Sequence, residues 1–321
     1  MVSSCRLSVV VPCYNEEASL TELHRRVSAA CQATAGGDYE LILVNDGSRD
    51  GTWPAMTALA AADHCLRCID LTRNYGHQCA VTAGLALSRG ERVLLLDADL
   101  QDPPELLPAL MAKMDEGFDV VYGQRRSRDG DSVFKRATAA LFYRLLRRLA
   151  AVDIPQDTGD FRLMRRAVVE ALNTLPEQHR FVRGMVAWVG FRQTAVPYDR
   201  EQRRAGETHY PFWKMASLAI DAITSFSIVP LRLIVTLAGL TFLASLALMV
   251  YVAVSWAYFN AVQGWTSLIS VVLFLGSVQL LSLGIIGEYV GRTFIESKRR
   301  PAYLIREVLQ AAPDQALLPR K

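Results

Sequence analysis

The chain has 321 residues, 51% of them hydrophobic and 21% charged, with 35 Lys plus Arg against 32 Asp plus Glu and a formal net charge of +3. That length is enough for one large domain or two smaller ones with a real core, and so slight a basic excess does not by itself imply nucleic-acid binding. The charge is also unevenly spread: residues 233–287 carry no charged side chain at all, a pattern expected of a segment that meets lipid.

All six cysteines fall in the first quarter of the chain. Cys65-x-x-Cys68, with His64 and His77 nearby, suggests zinc, but no second CxxC or spaced His pair completes the site. Reduced thiols packed in a cytosolic domain are the expectation. "LSVVV" at 7–11 is too short for the apolar core of a secretory signal and reads as a first strand.

From there the chain alternates. The first strand leads to a helix beginning near Glu16, "YELILVND" (39–46) to one from about Gly51, and "RCIDL" (67–71) to one around 77–88. "RVLLLDAD" (92–99) runs into "PPELLPALMAKMDEG", where prolines in the first helical turn and Gly117 past the end mark the boundaries, and "DVVYG" (119–123) makes a fifth strand. Strand, helix, strand in succession predicts an α/β domain with right-handed crossovers and a mostly parallel sheet covered by helices on both faces. Ligands of such sheets bind beyond the carboxyl ends of the strands. The polar residues sit at those ends: Pro12 to Glu16, then Asn45 and Asp46, then Asp97 and Asp99. They should converge on one crevice.

Residues 131–150 read as a basic helix with an apolar side, and "PFWKMASLAIDAITSFSI" (211–228) as a second amphipathic helix placed just before the uncharged block, as a helix in the bilayer interface would be. The block divides into spans at about 233–256 and 267–287, each longer than the ~20 residues needed to cross the hydrocarbon core. Arg232 precedes them, and Arg292, Lys298, Arg299 and Arg300 follow, whereas the loop between has no Lys or Arg; the positive-inside rule puts both ends of this hairpin in the cytoplasm. Trp256, Tyr258 and Trp265 suit an aromatic belt near the outer turn. The expected organisation is a cytosolic domain over 1–210, an interface helix over 211–230, two transmembrane helices within 231–292 and a cytosolic tail over 293–321.

The chemistry is concentrated in four motifs. "VVVPCYNEE" and "VNDGSRDGT" end strands with hydrogen-bonding groups and tight turns, which suits a base and a ribose. "LTRNYGHQCAVTAGL" adds a loop and a helix start. "DADLQD" aims Asp97, Asp99 and Asp102 off the tip of an apolar strand. Unpaired carboxylates so placed repel one another and are costly to desolvate; a hard divalent cation bridging two phosphates resolves that.

In this order, the motifs resemble family 2 glycosyltransferases with the GT-A fold, and among them the polyprenyl-phosphate glycosyltransferases that include dolichol-phosphate mannose synthases and bactoprenol glucosyltransferases. The resemblance runs from Leu7 to about Arg300, and the two C-terminal spans are similar to the bactoprenol branch. It implies that Pro12, Tyr14, Glu16, Asn45 and Asp46, with Asp97, hold a nucleotide sugar, and that Asp97, Asp99 and Gln101 surround the diphosphate and a Mg²⁺ or Mn²⁺ ion. Asn45 stands where many relatives have Asp. "DTGDFRLMRR" corresponds to an acceptor-side segment in which Asp157 or Asp160 lies near the sugar. UDP-glucose is the donor it suggests first, ahead of GDP-mannose and UDP-N-acetylglucosamine, and a homo-oligomer, a tetramer, is the implied assembly.

The acceptor's needs follow from physics. A lipid monophosphate has a second pKa near ~6, as phosphorylated side chains do, so it arrives ionised and asks for cations more than for a base. Arg125 and Arg126 after the fifth strand, then Arg200, Arg203 and Arg204 ahead of Thr208, can supply the planar forks that bind phosphate. His77 and His209 are expected to be surface or hydrogen-bonding residues. The expected activity is inverting transfer of a hexose to undecaprenyl phosphate or a similar lipid at the cytoplasmic membrane. Two rivals are a processive polysaccharide synthase, which needs more spans and a QxxRW signature not found after residue 176, and an inactive membrane scaffold, against which the intact Asp97 and Asp99 argue.

Overall fold

A computed structural model describes residues 5–126, 158–178, 180–199, 229–259 and 264–310. Asp157, Arg200, Arg203, Arg204, Thr208, His209 and the amphipathic segments 131–150 and 211–228 lie outside the described residues.

The first half alternates as its periodicity requires: β1 (Leu7–Cys13), α1 (Leu20–Ala35), β2 (Tyr39–Asn45), α2 (Thr52–Ala62), β3 (Leu66–Leu71), α3 (His77–Leu87), β4 (Arg92–Leu95), a short 3₁₀ turn (Pro104–Leu106) running into α4 (Leu107–Asp115), and β5 (Val120–Arg125). There follow β6 (Thr158–Arg165), α5 (Arg166–Thr174), α6 (Val182–Trp188), β7 (Gln193–Tyr198), two long helices α7 (Val229–Phe259) and α8 (Trp265–Ser297), and β8 (Ile305–Gln310).

The eight strands form one sheet in the order β7-β5-β6-β4-β1-β2-β3-β8. It is mixed rather than simply parallel. β1 pairs in parallel with β2 and β4, β2 with β3, and β5 with β7, while β6 runs antiparallel between β4 and β5 and β8 runs antiparallel along β3. The expected fifth strand therefore does not lie beside the fourth; β6 separates them. Chain order reverses about β1 and β4, so the crevice above that pair is the topological switch point at which open α/β sheets bind ligands.

Alternation along the strands builds two apolar layers. Val9, Val11, Leu41, Leu43 and Cys68 join Leu20, Leu23, Val27, Met56 and Leu110 in one buried cluster on the face carrying α1, α2 and α4. In α1 the buried Leu20, Leu23, Val27, Ala30 and Cys31 recur at helical spacing. The opposite face presents Val10 and Val44 to α3, which approaches so closely that a Cβ on Gly84 would lie 2.3 Å from Val10 Cγ1. A bidentate ion pair from Arg26 on α1 to Glu105 (2.8 and 2.7 Å) anchors the turn that follows "DADLQD".

The C-terminal helices are of a different kind. Within α7, Val229–Leu248 has a mean hydropathy of 2.0 and is unburied, and within α8, Phe274–Ser297 has 1.3. At 1.5 Å per residue such lengths match a bilayer's hydrocarbon core, about 30 Å. Leu233, Val235, Phe242, Val272, Phe274 and Leu280 are all exposed. A water-soluble surface does not carry so much contiguous apolar area, and the two helices support membrane association. After α8 the chain returns to the sheet as β8, within the segment expected to be a tail.

Candidate active site at the carboxyl ends of β1, β2 and β4 and the amino end of β6

The turns after β1 and β2 are stitched together. Asn15 takes a left-handed backbone conformation (φ 56°); its N–H donates to Ser48 Oγ (3.0 Å) and its Oδ1 accepts from Arg49 N (2.9 Å). Glu16 N donates to Thr52 Oγ1 (2.9 Å), and Glu16 Oε2 accepts from Ser19 Oγ (2.8 Å). Pro12, the last residue but one of β1, lies opposite Val44, and Tyr14, just past the strand, is exposed. Asn45 and Asp46 are buried. Asn45 Nδ2 donates to Asp70 Oδ1 (2.7 Å) while its Oδ1 accepts from Ser48 N (3.1 Å). Asp46 accepts from the backbone N–H groups of Tyr75 (2.7 Å) and Gly76 (3.0 Å). Burial raises its pKa, against the pull of those two amides. Both residues thus hold the walls of the crevice in shape. The approach of the loop after β3 requires Gly47, whose φ is 64° and whose Cβ would sit 2.4 Å from the backbone of Arg73 and Asn74.

The acids after β4 meet β6. Leu95 pairs with Arg162 in antiparallel register, and two further residues along that register bring Asp97 opposite Asp160. Two facing carboxylates are unfavourable unless cations intervene. Three do. Arg183 Nε on α6 lies 2.8 Å from Asp160 Oδ1, His77 Nε2 at the start of α3 lies 3.0 Å from Asp160 Oδ2 and 3.6 Å from Asp97 Oδ1, and the buried Arg162 holds the carbonyls of Asp160 and Gly159. Gln78 Nε2 donates to Asp160 Oδ2 (3.2 Å), and its Oε1 accepts from Val182 N (2.8 Å), joining α3 to α6.

The electrostatics follow the contacts. Burial would raise the Asp160 pKa, but the charge of Arg183, the His77 hydrogen bond and Arg162 outweigh it and hold the carboxyl well below the usual range. Asp97 goes the other way: burial, then the charge on Asp160, pushes its pKa up to about 6. Burial disfavours the His77 imidazolium, yet its hydrogen bond to Asp160 and the nearby carboxylates raise its pKa overall. Arg162 is lowered to about 10 by burial, with Asp160 opposing.

Ligand atoms of His77, Asp97 and Asp160 lie within 4.8 Å of one another, and Asp97 Oδ1 is buried with no hydrogen-bond partner. An orphaned carboxylate oxygen beside a second carboxylate and an imidazole is a donor set that accepts a divalent metal such as Mn²⁺ or Mg²⁺. Asp99 and Gln101 stand beside this cluster: Asp99 Oδ1 accepts from Gln101 N (3.1 Å) across a turn in which buried Leu100 has φ 59°. Of the expected metal set, only Asp97 falls in the cluster.

Arg125 and Arg126 differ. Arg125 is drawn inward, its Nε donating to Tyr198 OH (3.4 Å) and its Nη2 3.8 Å from the fully buried Asp102. Tyr198 OH also donates to Asp102 Oδ1 in a short hydrogen bond, and its ring packs edge-on against Phe161. Arg126 is exposed and faces Asp199 at 3.4 Å.

His77, expected from the sequence to be a surface or hydrogen-bonding residue, does hydrogen-bond, within the cluster. No motif in the sequence singles out Gln78, Arg162 or Arg183. Two acids on adjacent strand ends demand compensating cations, and "DFR", with Asp160 and Arg162 on one face of a strand, carried part of that signal.

The sequence pattern of glycosyl transferase family 2 matches residues 8–172, and that of the GtrB C-terminal hairpin matches residues 229–293. The uncharacterized glycosyltransferase YkcC of Bacillus subtilis is 45% identical over 94% of this chain and 93% of its own length. The uncharacterized glycosyltransferase sll0501 of Synechocystis is 44% identical over 94% and 95%. The bactoprenol glucosyl transferase of Shigella phage SfV is 40% identical over 95% and 99%. With a strand-end cluster of acids at the switch point and relatives matched along nearly their whole length, the chain belongs to glycosyltransferase family 2, in the branch that carries the GtrB C-terminal hairpin.

Proposed function

We propose that this protein is an inverting glycosyltransferase that moves a hexose, glucose in the first instance, from a nucleotide sugar to a polyprenyl phosphate at the cytoplasmic face of a membrane. The observation that carries the reading is the convergence of Asp97, Asp160 and His77 at the β1/β4 switch point, in a chain that continues into two unburied apolar helices. A bactoprenol acceptor and a glucosyl donor are named for relatives about as long as this chain.

The turns after β1 and β2, through Pro12, Tyr14, Glu16 and the walls built by Asn45 and Asp46, would receive the nucleotide. Asp97, with Asp160 and His77 and with Asp99 and Gln101 alongside, would hold Mn²⁺ or Mg²⁺, which when bound neutralises charge developing on the leaving diphosphate. Asp160 is held ionised by Arg183, so it offers a fixed negative charge beside the anomeric carbon. Arg125, aimed by Asp102 and Tyr198, and Arg126 would orient the phosphate of the acceptor, with Asp157, Arg200, Arg203, Arg204 and Thr208 as further candidates. Since that phosphate is ionised near neutral pH, attack opposite the leaving group needs positioning more than proton removal. The charge pattern around the hairpin favours a multi-pass protein with both termini in the cytoplasm, and holding enzyme and lipid in one membrane raises the effective acceptor concentration. Assembly as a homo-oligomer, a tetramer, belongs to the same proposal.

The test incubates purified protein in lipid with radiolabelled UDP-glucose, GDP-mannose or UDP-N-acetylglucosamine and undecaprenyl phosphate. One label should move into the organic phase, stop on addition of chelator and resume with Mn²⁺ or Mg²⁺. Transfer at full rate in excess chelator, or no lipid-linked label with any donor, would refute the reading.

A further inference from the structure

The strand that follows the apolar helices begins beside the carboxyl end of β3, next to the nucleotide side of the crevice. β8 pairs antiparallel with β3, and its register slips between Asp70 and Leu71: Asp70 faces Glu307 while Leu71 faces Ile305. Arg306 is the residue left over. A bulge of this kind turns a side chain out of the regular alternation, and such bulges gather beside active sites. Here it delivers the guanidinium to the carboxyl end of β3, where Nη1 lies 2.9 Å from Asp70 Oδ2 and Nη2 donates to Thr72 O (2.8 Å). Thr72 N in turn donates to Leu304 O (3.0 Å), so both backbone groups of Thr72 are held by the segment after α8.

Asp70 is 2% exposed in its side chain, and its two oxygens take different partners. Oδ2 faces Arg306, and Oδ1 accepts from Asn45 Nδ2. Asn45 then fixes Ser48 N, and Ser48 Oγ fixes Asn15 N. On the other branch, Thr72 begins the loop whose Tyr75 and Gly76 amides bind Asp46 and whose next residue is His77. One arginine outside the family motifs thus stands at the root of both walls.

We propose that Arg306 is a positioning residue for the nucleotide sugar: through Asp70 and Thr72 it sets the shape of the turns at 45–48 and 72–76. The inference rests on the reading of that crevice as the donor site. Removing the cation would leave a buried carboxylate paired with Asn45 alone, and such a charge draws in water or a proton and disturbs its remaining partner. Arg306→Met keeps the length and the apolar stem of the side chain but not the fork.

The full-length protein in lipid is compared as wild type, R306M and D70N/R306M. In R306M the KM for the nucleotide sugar should rise about tenfold, the scale of one lost charge-assisted hydrogen bond, with the KM for the lipid phosphate within about twofold. Amides of Ser48, Tyr75 and Gly76 should exchange faster with solvent in the ligand-free protein. D70N/R306M, which removes the stranded charge but keeps an oxygen acceptor for Asn45, should recover most of the donor KM and slow the exchange again. Unchanged exchange at those three amides in R306M overturns the proposal whatever the catalysis shows. So does a loss that falls equally on donor and lipid KM, or a double variant as impaired as the single one. If wild type transfers no sugar, the functional reading fails, and the exchange comparison still decides the role of Arg306.

Discussion

Asp97→Asn should make the protein more stable at neutral pH while removing its activity. In the folded chain the Asp97 side chain is 27% exposed, faces Asp160 and has an oxygen with no hydrogen-bond partner; burial and Asp160 raise its pKa from 3.8 to about 6. Unfolded, it ionises near ~3.9. Between those values the native state binds more protons than the unfolded one, so stability falls as pH rises through that window and the penalty is complete above about pH 6. At roughly 1.4 kcal/mol per pKa unit, the ionised carboxylate costs about 3 kcal/mol in the metal-free protein, taken as an upper bound. The variant escapes it. For a domain of this size that is about 5–10 °C in Tm at pH 8, with the advantage over wild type vanishing below about pH 4. Thermal unfolding of both proteins in detergent with chelator, at pH 4 and pH 8, measures it. Adding Mn²⁺ at pH 8 should raise the wild-type Tm and leave the variant unmoved, because only the former binds the ion in its native state. A variant no more stable than wild type at pH 8, or equally favoured at both pH values, would refute the reasoning.

Asp160→Asn has the opposite sign. It strips the shared counter-charge from Arg183, Arg162 and His77, so a loss of about 3–5 kcal/mol is expected by denaturant unfolding, with the His77 pKa falling in an NMR titration. Gly47→Ala places a Cβ 2.4 Å from the backbone of Arg73 and Asn74 at a φ of 64°; the loop after β3 must move, and a drop of about 2–4 kcal/mol with a weakened donor KM should appear. Tyr198→Phe deprives buried Asp102 of a hydroxyl donor, costing about 1–3 kcal/mol and releasing Arg125, which should raise the KM for the lipid phosphate more than that for the nucleotide sugar in steady-state assays.

Much of this molecule is written locally. The strands from Leu7 to Arg125 are short apolar runs bounded by turn residues, and α1 shows the spacing of a half-buried face, so period and punctuation place them. The uncharged block declares its helices through length and apolarity. Polar residues confined to strand ends name the side of the sheet on which the site lies. What local pattern does not carry is pairing. β6 lies in a segment that carries only an acceptor-side motif and β8 in the expected tail, and an antiparallel strand needs no crossover helix to announce it. Only the folded sheet sets Asp97 across from Asp160, and only that juxtaposition demands His77, Arg183 and Arg162 as compensating charge. In the same way nothing near residue 306 in the chain points to Asp70; a bulge between two strands more than two hundred residues apart joins them. Periodicity is a property of neighbours in sequence, whereas the cost of burying a carboxylate depends on every charge within reach, and those neighbours exist only once the chain has folded.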